Sequence, residues 1–357
     1  MESYFAKDYS EARQRFIAQA DARRFAVATY ENPSRGPAGE ALFTDVARLG
    51  PASARRVLVV ESGLHGVEGY AGSAIQLAAL DRIDLPADGD AALLLVHAIN
   101  PWGFASNRRF NEDNIDLNRH FIDWDNPGNL DNPGYRDIAD SVIPGDFSEE
   151  ALAASDAKLE AYRLEKGEQA LRSAIKLGQY SHPEGLYYGG LTPSWSAQTV
   201  KRIAEEHLRA AEICGLIDVH TGLGPFGFGE CLSGMAPDSE EGARCTAWYG
   251  KVAHTKSPKT DYAGSAASIL DGYKRAAPWP VWTPIGLEFG TRSEQVVRDA
   301  VRFDGWLHLN GGASNPHAGA VKAMMLHAYS PDEPAWRQAV VKRGLEVVNL
   351  GLAGISG

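Results

Sequence analysis

A mixed, largely parallel α/β sheet flanked by helices, with a helical insertion, is the fold that the sequence predicts. Residues 56–61 and 91–99 are short, nearly unbroken apolar runs, the pattern of strands buried on both faces. Between them, 67–80 is rich in Ala, Ile and Leu and reads as a helix, so the order is strand, helix, strand. Later, a tract rich in Ala, Leu, Glu and Lys interrupts the alternation, and strand-like runs then resume.

Taken in order, 8–22 places Ala12, Phe16, Ile17 and Ala20 at helical spacing among charges. Strands are expected at 24–30 and 42–49, separated by a loop at 32–37 that carries Pro33 and Pro37. Residues 123–144, dense in Asp, Asn, Pro and Gly, read as loop. Residues 149–179 read as one long helix, with Asp146 and Glu149 spaced as in a capping box. A loop at 185–190 carries Tyr187 and Tyr188, and 194–214 is helical again. The run 216–219 predicts a short strand ending at His220, followed by a Gly-rich loop through Gly234. Residues 283–289 predict a strand with Glu288 at its carboxyl end, and helices at 293–306, 318–329 and 334–349 follow. A single domain over 1–357 is expected, with 124–212 a helical insertion within it, because no linker-like stretch isolates that segment.

Composition narrows the partners. A formal charge of -11 argues against nucleic acid, which calls for clustered Lys and Arg. No apolar run reaches the ~18–20 residues of a membrane span, and the first residues lack the apolar core of a signal peptide. Cys214, Cys231 and Cys245 form no C-x-x-C pair and are odd in number, which suits reduced thiols. A cytoplasmic protein is the expectation.

The chemistry concentrates at Ser62-Gly63-Leu64-His65-Gly66-Val67-Glu68, where a buried run ends and a helix begins. A His and an acid at the carboxyl end of a strand are suited to start a metal site, in the place where open α/β sheets put ligands. H-x-x-E alone arises by chance about once per chain of this composition, and His120 with Asp123 shows how readily. His220 and Glu288 also fall at predicted strand ends, so three strand ends can converge on one cleft. Gly222-x-Gly224-x-x-Gly227 follows a strand, but Pro225, Phe226 and Phe228 do not open a helix, so a dinucleotide site is not supported. Neither G-x-S-x-G nor a P-loop occurs.

Asn100-Pro101-Trp102-Gly103, Arg108-Arg109-Phe110 and Asp116-Leu117-Asn118-Arg119 complete a series. With His65, Glu68, His220 and Glu288 in that order, the chain resembles the zinc carboxypeptidase superfamily. The R-F ahead of D-L-N-R resembles its aspartoacylase and succinylglutamate desuccinylase branch. The resemblance implies one zinc ion on His65, Glu68 and His220, with Asp116 accepting the free N–H of His65. It implies Glu288 as general base and then general acid, and Arg109 as stabiliser of the developing oxyanion. Asn118 and Arg119 would clamp a substrate carboxylate, and Arg108 is a further candidate for substrate binding or the oxyanion role. The substrate-capping tyrosine of the family stays open among Tyr187, Tyr188, Tyr249, Tyr262 and Tyr273. The implied activity is hydrolysis of an amide next to a free carboxylate, in short or modified peptides or in N-acyl amino acids. A non-catalytic carboxylate-binding module is the third reading.

Overall fold

The computed structural model describes residues 2–86, 89–255 and 267–357. Eight strands form one sheet: β1 (Ala26–Arg35), β2 (Ala41–Leu49), β3 (Arg56–Glu61), β4 (Ala91–His97), β5 (Ile213–Phe226), β6 (Gly229–Ser233), β7 (Val252–His254) and β8 (Val281–Gly290). Their order is β1-β2-β4-β3-β5-β8-β6-β7. The centre, β4-β3-β5-β8, is parallel, and antiparallel pairings join β1 and β2 on one side and β6 on the other. The expected mixed, largely parallel α/β fold is the one observed.

The unbroken apolar runs have the predicted cause. Leu58 and Val60 of β3 pack on one face of the sheet with Phe16, Ile75 and Val348. Val57 and Val59 pack on the other with Ile203, Leu216 and Tyr273. Both faces are covered, so the interior positions of β3, Val57 to Val60, are all apolar. Twelve helices supply the cover among the described residues: α1 (Tyr9–Ala22), α2 (Gly69–Arg82), α3 (Pro101–Ala105), α4 (Pro133–Val142), α5 (Glu149–Lys166), α6 (Glu168–Lys176), α7 (Trp195–His207), α8 (Glu240–Tyr249), α9 (Ile269–Ala276), α10 (Glu294–Leu309), α11 (Ala318–Tyr329) and α12 (Pro334–Ser356).

Several expectations change. Strand β1 continues through Pro33 to Arg35 instead of stopping, which an edge strand permits because one side of its ladder is unpaired; the register slips between Asn32 and Arg35. Within the expected loop 123–144, Asn132 caps Tyr135 and Pro133 occupies the first turn of α4. The single helix expected at 149–179 is two, broken at Gly167, whose φ of 94° no helix accepts. Its N-cap is Ser148, not Asp146: the serine hydroxyl accepts from the Ala151 amide. The Gly-rich stretch after His220 is not a loop; β5 runs on to Phe226 and β6 returns beside β8.

Candidate metal centre and active site

Three neighbouring parallel strands deliver side chains to one place, although β5 itself runs on past His220 to Phe226. Beyond β3, His65 and Glu68 lie around a 3-10 turn at Gly66–Glu68 that leads into α2. That turn is held by the N-P-x-G segment. The Asn100 side chain caps the Gly103 amide at 2.8 Å, and its Nδ2 donates to the carbonyls of Leu64 and Arg109 at 3.3 and 3.4 Å. The amides of Gly66 and Val67 in turn donate to the carbonyls of Arg109 and Arg108 at 3.2 and 2.8 Å. H-x-x-E and N-P-x-G therefore belong together for a mechanical reason: the second motif clamps the first.

The clamp leaves no room. A Cβ on Gly66 would meet the backbone carbon of Gly103 at 1.9 Å and the Phe104 nitrogen at 2.2 Å. Gly66→Ala is expected to cost on the order of 3 kcal/mol by overpacking against backbone that cannot rotate away. Chemical denaturation checks this, and a midpoint equal to wild type would refute it.

His65, Glu68 and His220 are all buried, and a ligand atom from each lies within 4.8 Å of the others. Each imidazole is held at both nitrogens. His65 places Nδ1 2.8 Å from Glu68 Oε1 and Nε2 3.2 Å from Asp116 Oδ1. His220 places Nδ1 3.0 Å from Glu68 Oε2 and Nε2 2.6 Å from Asp218 Oδ2. Both Nδ1 atoms thus face the shared carboxylate while an outer carboxylate takes each Nε2. That is how metal-binding imidazoles are oriented, so the donor set fits a divalent cation and zinc in particular. Burial alone would raise the Glu68 carboxyl, but the imidazole of His65 and that of His220 outweigh it and hold it below the usual carboxylate range. Burial would lower His220, and Asp218 with Glu68 reverses this and lifts it well above the ordinary histidine value.

Arg109 spans the outer and inner carboxylates, donating from Nε to Asp116 at 3.2 Å and from Nη1 to Glu68 at 3.3 Å. Burial opposes its charge, but Asp116 leads the groups that hold it firmly protonated. Glu288 lies beside His220 in the register of β5 and β8, and its Oε1 accepts the Leu223 amide at 3.0 Å. Burial pushes it up to about 7, with Glu68 adding to the rise and His220 and Arg109 opposing it. A carboxyl tuned near neutrality suits a group that must take a proton and return it.

Other expected residues stand at greater remove. The Arg119 guanidinium donates to the carbonyls of Lys176 and Asn118, both at 2.9 Å, and Asn118 touches the site through its amide, which donates to Asp116. Arg108 points elsewhere than Arg109: its side chain turns away from the cluster to Asp304, at 2.8 Å, and Asn114, at 2.9 Å, so it is buried and ion-paired apart from the metal-ligand cluster. Arg109, the next residue, turns the other way and reaches the site. His120 is structural: Nδ1 donates to the Gly189 carbonyl and Nε2 accepts from the Ser194 amide.

Of the tyrosines, Tyr262 lies outside the described residues, Tyr249 is buried in α8, and Tyr188 docks by its backbone on Asp116. Among the described candidates Tyr187 brings its ring to the site, with the Arg109 guanidinium 6.0 Å from its centroid. It holds a left-handed φ of 58°, costly for a tyrosine and typical of positions fixed by function. Sequence reasoning missed Asp218 and Tyr329. Asp218 had a signal, an acid two residues before a strand-end histidine and therefore on the same face. Tyr329 had none: it ends α11, and its hydroxyl lies beside Arg109.

Beneath His220, Glu61 pairs in register with Asp218. It is fully buried, neither carboxyl oxygen has a hydrogen-bond partner, and the Tyr273 hydroxyl lies alongside out of bonding geometry. Burial first, and then Asp218, raises it well above the ordinary carboxyl value. A raised carboxyl stabilises the fold fully below its unfolded pKa of about 4.3, and that contribution is lost as pH rises through the folded value. Glu61→Gln should therefore gain on wild type as pH climbs from about 4.3 toward neutrality, read by denaturant midpoints on metal-free protein. Parallel pH profiles for the two would rule this out.

Residues 5–343 match the family described as Protein of unknown function (DUF2817). The chain belongs to that family. No curated protein matches it. Among solved structures it is similar to thrombin-activatable fibrinolysis inhibitor, with 10% identity and a TM-score of 0.50 over 98% of this chain and 74% of that one. It is also similar to a metallo-carboxypeptidase from Pseudomonas aeruginosa, with 14% identity and a TM-score of 0.41 over 93% and 68%. A succinylglutamate desuccinylase from a Silicibacter species gives 11% identity and a TM-score of 0.38 over 85% and 65%. The first of these likenesses shows the fold alone: this family member shares the architecture of thrombin-activatable fibrinolysis inhibitor. No described helix is long and apolar enough to cross a membrane.

Proposed function

We propose that this chain is a zinc-dependent hydrolase of an amide bond next to a free carboxylate, acting as a carboxypeptidase on short or modified peptides. The observation that carries the reading is the joint placement of His65, Glu68 and His220, with Glu288 in register beside His220. In this reading 1–357 is one catalytic domain, and its 124–212 insertion roofs the cleft. A zinc ion on the three ligands would supply Lewis-acid polarisation of the scissile carbonyl.

The rest is done by the chain. Asp116 and Asp218 fix the two imidazoles, so that each presents Nδ1 inward. Glu288 takes a proton from the attacking water and returns it to the departing amine, at a carboxyl whose raised pKa suits both directions. Arg109 stabilises charge developing on the carbonyl oxygen. Arg119 and Asn118 orient the substrate carboxylate, and the Tyr187 ring closes over Arg109.

A second reading, removal of the acyl group from an N-acyl amino acid, is favoured by the proximity of the insertion. The Asp116 amide donates to the Tyr188 carbonyl at 2.8 Å, so the 179–190 loop is pinned against the site, where it would restrict the cleft to a small substrate. Zinc analysis followed by a screen of C-terminally free dipeptides, N-acyl amino acids and their methyl esters tests both. Cleavage limited to compounds with a free carboxylate supports the proposal; equal turnover of the blocked compounds defeats it, because Arg119 would then hold nothing.

A further inference from the structure

A cavity of about 380 Å3 lies where α3, α10 and α11 meet the β1–β2 turn. It belongs to the other side of the strap that carries Arg109: Arg108 lines this cavity while Arg109 faces the metal ligands. Its walls are apolar, from Trp102, Leu307 and Pro37, and among the described residues that line it there is no Asp or Glu. The volume falls within the range of small-molecule sites.

The charge of this corner is unbalanced. Asp304, behind the wall, is shared by the Arg108 Nε at 2.8 Å and the Lys322 amine at 2.6 Å, so two cations face one carboxylate. His308 adds no charge: burial, and then Arg108, pushes it down to about 4. Arg35 at the rim is offset by Glu31 at 3.4 Å. Arg108 is only 3% exposed, yet its Nη1 has no hydrogen-bond partner. A buried guanidinium N–H left unpaired is costly, and it marks a place where an acceptor is missing. The first turn of α11 also opens here, with no side chain capping it. The Glu40 carboxylate lies against Gly36 at the outer rim, so the imbalance is confined to the inner wall, where two cations share one carboxylate and select a monoanion with an apolar body.

We propose that this cavity is a second binding site, separate from the metal centre, for a small amphiphilic monoanion such as an aryl or medium-chain carboxylate held by Arg108 and Lys322. The carbonyls of Arg108 and Arg109 receive the Val67 and Gly66 amides, so a ligand seated on Arg108 bears on the strap that positions His65 and Glu68.

The test uses 3-phenylpropionate and its uncharged counterpart 3-phenylpropanol, titrated calorimetrically into the full chain. The acid should bind at least about tenfold more tightly than the alcohol, the difference expected for a charge-assisted hydrogen bond. Gly319 lines the cavity and a Cβ there meets nothing within 4 Å, so Gly319→Trp adds a bulky side chain at the cavity wall without a backbone clash. It should abolish binding while leaving turnover and melting temperature unchanged. Lys322→Met should weaken the acid about tenfold and leave the alcohol unaffected. Binding should also survive His220→Ala, which removes a metal ligand. Absence of binding at millimolar acid, binding that Gly319→Trp leaves intact, or binding lost with His220→Ala would each overturn the proposal.

Discussion

Glu288→Gln should lower turnover by about 10³-fold while metal content and melting temperature stay at their wild-type values. The replacement keeps the shape of the side chain and an oxygen for the Leu223 amide, so the β5–β8 register has no reason to change. What it removes is a titrating oxygen beside His220. A general acid–base group contributes about 10²–10⁴-fold, so the loss should be easy to separate from assay error. The pH profile gives an independent reading. Glu288 works as a base when deprotonated, so kcat/KM should fall as pH drops through its pKa. The metal-free chain places that value at about 7. A cation beside the carboxylate favours its charged form, so the acidic limb of the loaded enzyme should lie below that value. Turnover within tenfold of wild type in the variant would remove Glu288 from the chemistry. A wild-type chain that binds zinc and carboxylates without any turnover would instead favour the non-catalytic module.

What the sequence made legible, and what it hid, follows from where each signal is written. Strand β3 and helix α11 have the predicted bounds because burial on both faces, or on one helical face, is a local pattern. His65, Glu68, His220 and Glu288 were readable because strand ends in a parallel sheet converge by topology. The direction of Arg108 was not readable, because adjacency in sequence says nothing about which side a side chain takes. Asp304, which claims it, lies 196 residues away. Tyr329 was invisible for the same reason: the approach of the carboxyl end of α11 to Arg109 is a tertiary contact between segments far apart in sequence. The break at Gly167 was overlooked because the composition on both sides is equally helical, and only a positive φ at one residue separates α5 from α6.

Asp218→Asn and His220→Ala should form a graded series in metal affinity. The Asn variant keeps a hydrogen-bond partner for His220 Nε2 but loses the charge, and outer-shell changes of this kind cost about 10–100-fold. His220→Ala deletes a ligand outright and leaves Glu68 and Asp218 buried with one partner fewer, so it should fall beyond that range and lose activity altogether. Proton counting adds a sharper criterion. In the metal-free chain His220 is held protonated above its ordinary value by Asp218 and Glu68 against the opposing effect of burial. The stability from this pairing is complete below the unfolded histidine pKa of about 6.5 and disappears as pH rises through the higher folded value. A metal must displace that proton, so zinc uptake at neutral pH should release protons and its affinity should climb with pH beyond 7. Asp218→Asn lowers the folded pKa of His220 and should shift this release to lower pH. Calorimetry in buffers of different ionisation enthalpy reads the proton number directly. Zinc binding that releases no protons at neutral pH, or that is indifferent to both substitutions, would show that the ion is held somewhere other than between these two imidazoles.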